Sequence, residues 1–234
     1  MLQTFRTTEE YNHYTGNGEN LNSGILYYVE EDNSGHFATN NIDGEYKVYD
    51  LGGGDKDDRV TAIFRKVDGQ GSDAIFGFYA DSYIDEIEID GVKQETIEEY
   101  PTLLQGNHVI KYKLKNNTTL PENMFSSCSN LISVTLPSTI TKIQPTAFSS
   151  CENLTSININ NNLGDKITFI GNKAFNNCKL LASIIISSPT PPSTGNSIFN
   201  SSYVPKIYVP ADKLDAYKAA SGWSSYADKI VSIP

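Results

Sequence analysis

One short motif recurs three times in this chain and constrains its fold more than any other feature. The copies are FSSCSNL at Phe125–Leu131, FSSCENL at Phe148–Leu154 and FNNCKLL at Phe175–Leu181. The cysteines lie 23 and 27 residues apart. Three residues after each cysteine stands a leucine: Leu131, Leu154 and Leu181. Three further on comes Val134, Ile157 or Ile184, and two beyond that Leu136, Ile159 or Ile186. The offsets continue downstream at Val204, Ile207 and Val209, with Ser201 in the cysteine position, and upstream at Val109, Tyr112 and Leu114. Five short strands are therefore expected, within the ~20–29-residue period of stacked repeats.

A unit of this size cannot bury its own apolar face, so neighbouring units must share a core. The Leu, Val and Ile positions are expected to point inward, with Ala147–Phe148 and Ala174–Phe175 filling the core from the connecting turns. The cysteines fall at equivalent inward positions and read as a ladder of buried, inert thiols. A disulfide or a metal site is the alternative.

The pattern F-x-x-C-x-x-L-x-x-I-x-L-P, with an Ala-Phe pair entering the unit, resembles the BspA-like leucine-rich repeat family of bacteroidetes surface proteins. The resemblance covers roughly residues 107–234. The ending IYVPADKLDAYKAASGWSSYADKIVSI, Ile207–Ile233, looks like the terminal cap of that family. It reads as a last strand, a stop at Pro210 and an amphipathic helix from about Asp212 to Ala220, with Asp212 as N-cap. Leu214, Tyr217 and Ala220 would close the stack, and Trp223 is expected to pack in the cap. The unit containing NNNLGDK (Asn160–Lys166) is four residues longer than its neighbour, and PTPPSTG (Pro189–Gly195) breaks the fourth unit.

The expected fold is mainly β: a β-rich N-terminal region, a right-handed leucine-rich repeat solenoid and a C-terminal helical cap. Three parts are expected: a small β module over 1–58, a β-rich leader over 59–106 and the repeats over 107–234. Strands are expected at Ile25–Glu30, Glu45–Leu51, Arg59–Val67 and Tyr83–Ile89, and a short helix near Thr8–Tyr14. Asp43–Gly44 and Asp90–Gly91 read as turns, the second as a hairpin signal. The leader, with EIEIDGVKQE and GNHVIKYKLKNNTTL, resembles the region before the repeats in BspA-like proteins, where it would cover the first repeat. Residues 1–51 weakly resemble leader modules of phage tail and fibre proteins.

Charge separates the two halves. Residues 1–100 carry 22 acidic and 7 basic side chains, and residues 101–234 carry 6 and 11. The overall −10 argues against nucleic acid as a partner. No apolar run approaches the ~20 residues of a membrane helix. The N-terminus lacks a signal pattern, which implies either that the protein is not exported by that route or that a leader has been removed.

Catalytic constellations are missing from the sequence. His13, His36 and His108 lie in separate segments, GxSxG and HExxH motifs are absent, and no cofactor is expected. Asp50–Asp58 (DLGGGDKDD) and Asp68–Phe76 (DGQGSDAIF) have ligand types that calcium favours, but read as hairpin loops.

Strand alternation gives the functional expectation. One outward column is Lys111, Ser133, Ser156, Ser183 and Lys206; the next is Lys113, Thr135, Asn158, Ile185 and Tyr208. Repeat proteins bind partners on such extended surfaces, with Ile185 and Tyr208 as an anchor patch here. The resemblance implies adhesion, at the cell surface or secreted, to a host or bacterial surface protein or glycan, without enzymatic activity. The alternative is a phage virion component that recognises a bacterial surface. A homo-oligomer is compatible with either.

Overall fold

The structure, a computed structural model, describes residues 2–5, 26–29, 34–40, 46–50, 58–67, 74–159, 167–200 and 204–233. The chain is mainly β, with one short α-helix among the described residues. The expected helix near Thr8–Tyr14, the Asp43–Gly44 turn and the long Asn160–Lys166 segment lie outside them.

The repeats build two parallel ladders. One contains β10 (Leu131–Leu136), β12 (Ser156–Ile159), β14 (Ser183–Ile186) and β16 (Lys206–Val209), and β17 (Ile230–Ser232) adds a last parallel rung. The other contains the two-residue strands β9 (Thr119–Leu120), β11 (Lys142–Ile143), β13 (Phe169–Ile170) and β15 (Ser193–Thr194). Each repeat supplies one rung to each ladder, and the apolar residues meet between them. Val134, Leu136, Ile157, Ile159, Ile184 and Ile186 are buried in one core with Leu120, Ile143 and Ile170.

The Phe–Cys turn forms a third seam. Phe125, Phe148, Phe175 and Phe199 stack with ring centroids 5.4–5.6 Å apart. Tyr112 and Tyr226 close the stack edge-on at its two ends. The PTPPSTG stretch, expected to break the fourth unit, does not: its own Ser193–Thr194 forms β15 and pairs with β13, and Phe199 keeps its place in the stack. The prolines sit outside the short rung, so no ladder hydrogen bond is lost.

Backbone amides tie the turns together. Phe125 N donates to Ala147 O, Phe148 N to Ala174 O and Phe175 N to Ile198 O, at 2.7–2.9 Å. The residue before each cysteine is left-handed: Ser127, Ser150 and Asn177 have φ of 65°, 62° and 58°. Asn tolerates this region better than most residues, and serine is small. That conformation points their N–H groups at Ser149 O, Asn176 O and Asn200 O of the next repeat.

Upstream of the repeats the order is not the expected one. The segment around Val109–Leu114 reads as a fifth parallel rung, but it forms β8 (Gly106–Leu114), which pairs antiparallel with β5 (Val60–Lys66). β5 lies between β8 and β10 and is antiparallel to both. Alternating side chains specify which face a strand buries, not its direction, so β8 satisfies the repeat offsets without being a rung. β6 (Ile84–Ile89) and β7 (Val92–Lys93) complete this edge. Asp90 and Gly91, with φ of 50° and 84°, form the tight turn between them, as Asp-Gly favours. Strands on both sides of residue 107 thus share one nine-stranded sheet among the described residues. A separate four-stranded sheet is formed by β1 (Leu2–Phe5), β2 (Leu26–Val29), β3 (Ser34–Asn40) and β4 (Tyr46–Asp50).

The C-terminal end is closed by a 3₁₀ turn, Ala211–Lys213, and by α1 (Leu214–Ala219). Tyr217 and Trp223 are fully buried, edge to face at 5.8 Å. Their polar ends are satisfied, the Tyr217 hydroxyl by Ser188 O at 2.9 Å and Trp223 Nε1 by Pro192 O at 2.7 Å. Leu214 and Ala220 pack against the same core. Asp212 is not an N-cap: the helix has no side-chain cap, and this carboxylate pairs with Lys213 at 2.8 Å. The intervening 3₁₀ turn moves the helix start past Asp212, out of reach of the N2 and N3 amides.

Candidate functional site on the outer face of the repeat sheet

The long sheet has a second face, turned away from the main core. It carries a separate buried cluster of Ile63, Val109, Ile132 and Ile185, against which Tyr208 and Ile233 pack. All of the sequence-derived candidates lie on the strands of this sheet, but the rows differ from those expected. Thr135 stands opposite Asn158, Asn158 opposite Ile185, and Ile185 opposite Tyr208. Through Thr61 of β5, Lys111 joins this row rather than the Ser133 row. The row of Ser133, Ser156, Ser183 and Lys206 is extended instead by Ile63 and Val109. Inserting β5 displaces β8 from the position that a regular repeat would give it. Lys113 falls beyond both rows, opposite Glu86 of β6.

Exposure is a second correction. Lys113 and Lys206 are exposed, and Lys111, Ser183 and Tyr208 are half-buried. Ser133, Thr135, Ser156, Asn158 and Ile185, expected to lie open, retain only 1–7% of their surface. Facing away from the core is not the same as facing water in the central strands of a wide sheet. The sequence does contain a signal for this: VTAIF in β5, LIS-V in β10 and SIII in β14 put apolar residues on both faces, as in doubly buried strands. Ile63, Val109 and Ile132 were missed as members of this face for the same reason.

The polar centre of the face is unsatisfied. Among the described residues, Ser133 Oγ, Thr135 Oγ1 and both amide atoms of Asn158 have no hydrogen-bond partner. Buried polar groups are nearly always paired. Three in adjacent register positions form a block of unspent donors and acceptors.

Other reactive groups are committed elsewhere. Cys128, Cys151 and Cys178 are free and buried. Burial pushes the first two thiols well above their usual range and Cys178 up to about 12. Cys151 and Cys178 Sγ donate to Phe125 O and Phe148 O of the preceding repeat, at 2.9 and 3.0 Å. A protonated, hydrogen-bonded thiol is the opposite of an activated nucleophile. His108 places Nδ1 2.7 Å from Asp90 Oδ2 and Nε2 2.8 Å from Leu104 O. Asp90 Oδ1 also accepts the Val109 amide, so this cluster anchors the β6–β7 turn to β8. His36 stands in β3 opposite Tyr27 and Asp50; His13 lies outside the described residues.

No group of three or more His, Cys, Asp or Glu fit to hold a metal is present among the described residues. Most of the two calcium-type loops lies outside them, including Asp55, Asp57 and Asp68–Asp73. Phe78 and Tyr79 form an exposed aromatic pair that the sequence reading passed over, with ring centroids 3.9 Å apart. Tyr79 is left-handed, at φ 66°.

Residues 118–219 match the family model of the BspA type leucine rich repeat region, in six copies. No protein of curated function matches the chain. No helix among the described residues is long and apolar enough to cross a membrane.

Proposed function

We propose that this BspA-type leucine-rich repeat protein is a non-enzymatic adhesion module of a bacterial cell surface, and that it holds a surface protein or glycan on the outer face of its repeat sheet. Repeats of this kind suggest a protein-binding or adhesion-type module; the ligand class, the location and the face are our reading. In this reading the repeats form a right-handed solenoid, a rigid support on which each strand contacts only its neighbours.

The observation that supports it is the unpartnered block of Ser133, Thr135 and Asn158. Left unpaired, those atoms cost the chain stability, and a ligand that reaches them satisfies them. Tyr208 and Lys206 continue the same two rows on β16, opposite Ile185 and Ser183 of β14, and supply an aromatic edge and a charge.

The test is binding of the purified full chain to arrays of glycans and matrix proteins and to whole bacteria. It is run beside a variant carrying Lys113→Glu, Lys206→Glu and Tyr208→Ala, all at positions with exposed surface. The reading predicts a specific interaction that falls at least about tenfold, some 1.4 kcal/mol, in the variant. Binding that survives the triple change moves the site to Phe78 and Tyr79 or elsewhere in the first hundred residues. Binding confined to bacterial envelopes favours a virion component over a host-directed adhesin.

A further inference from the structure

The outer face is closed to solvent, yet the residues that cluster on it all belong to the one sheet that forms it. Its cluster of Ile63, Val109, Ile132 and Ile185 comes from β5, β8, β10 and β14 of one sheet. The residues packed against it, Tyr208 and Ile233, come from the same sheet and the end of its last strand. Ile63, Ile185 and Asn158 are nevertheless at most 1% exposed. A sheet buried on both faces requires a second layer.

The four-stranded N-terminal sheet has the matching requirement. Its register aligns Leu2 with Leu26, Leu26 with Phe37 and Phe37 with Tyr49, an apolar row crossing all four strands. A small sheet of this kind is stable only when such a row is packed against another layer.

We propose that the β1–β4 sheet docks face to face on the outer surface of the repeat sheet, over Ile63, Ser133, Thr135, Asn158 and Ile185. The dock stands independently of the proposed function. Its consequence rests on that reading: the N-terminal sheet occupies the ligand's place, and binding requires its displacement. Leaving Asn158 and its neighbours unpaired beneath it weakens the dock and favours exchange for a partner that pairs them.

The test uses the full chain carrying Ser133→Cys, a near-isosteric change, and follows its reaction with a disulfide-exchange thiol reagent. The three native thiols are buried and serve as background; Lys113→Cys gives the rate of an open position. The expected result is a Ser133→Cys thiol at least about 100-fold slower than Lys113→Cys, as for a site reached only by local opening. This protection is independent of protein concentration and lost when Phe37→Asp is added. Zero-length cross-linking of the unmodified chain should join Lys113 or Lys206 to carboxylates within residues 1–57. A fast Ser133→Cys thiol, or protection that survives Phe37→Asp, overturns the proposal. Protection that falls on dilution overturns it in favour of a second copy as the cover. The assay contains no ligand, so its failure leaves the binding face untouched, and a failed ligand screen leaves the dock testable.

Discussion

Phe125 and Phe148, one repeat apart, stack with their ring centroids 5.5 Å apart and their planes 17° from parallel. Phe148 makes the same contact with Phe175, so it is sandwiched on both sides. Truncation there removes a buried ring and opens a cavity between two repeats. Phe148→Ala should cost about 3–5 kcal/mol, the usual range for a buried aromatic. Phe199→Ala should cost less, because Phe199 stacks on one side and meets Tyr226 edge-on at the other. Urea unfolding midpoints of the two variants should fall in that order.

The buried thiols make the fold sensitive to alkali. Cys178 titrates at about 12 in the folded chain against a usual value of 9.0, with burial as the cause. Between those values the unfolded chain has lost its proton and the folded chain has kept it. The unfolded state binds fewer protons, so stability falls as pH rises. The contribution is complete below pH 9 and lost towards about 12, at about 1.4 kcal/mol per pH unit. Cys128 and Cys151 shift in the same direction. Unfolding midpoints should be flat up to about pH 8.5 and then drop steeply, and Cys178→Ala should reduce the slope.

Gly171 marks a place where two repeats approach too closely for a side chain. A Cβ there would meet Pro145 N at 2.4 Å and the Gln144 carbonyl carbon at 2.6 Å, both backbone atoms. Neither can swing aside as a side-chain end would. Gly171→Ala should destabilise the chain by about 1–3 kcal/mol, the range for overpacking. A thermal transition unchanged from the parent would show that the repeats can separate at this turn.

The repeats were legible because Phe, Cys, Leu and Ile each fill one inward position, so a copy out of phase would expose an apolar side chain. The Ala147–Phe148 and Ala174–Phe175 pairs, the thiol ladder and the Tyr217–Trp223 cap follow from the same logic. The insertion of β5 was not legible, because Tyr112 and Leu114 point inward in either strand direction. That one unread pairing placed Lys111 and Lys113 in the wrong rows. Alternation also places Ser133, Thr135 and Asn158 on the rows with Ile63 and Ile185, away from the main core, but says nothing of their burial. The apolar pair Ile132 and Ile185 on the supposedly wet face was the clue.

Asn158 tests the account most directly. It is 1% exposed, and neither amide atom has a partner among the described residues. Such a group costs about 1–3 kcal/mol, a cost that makes sense if the amide is kept for a ligand. The measurement is the unfolding free energy of Asn158→Leu, taken in parallel with its retention on the surface that the parent binds. The account predicts a variant more stable by about 1–3 kcal/mol that binds at least about tenfold less well. A variant that is less stable than the parent, or that binds as the parent does, contradicts it.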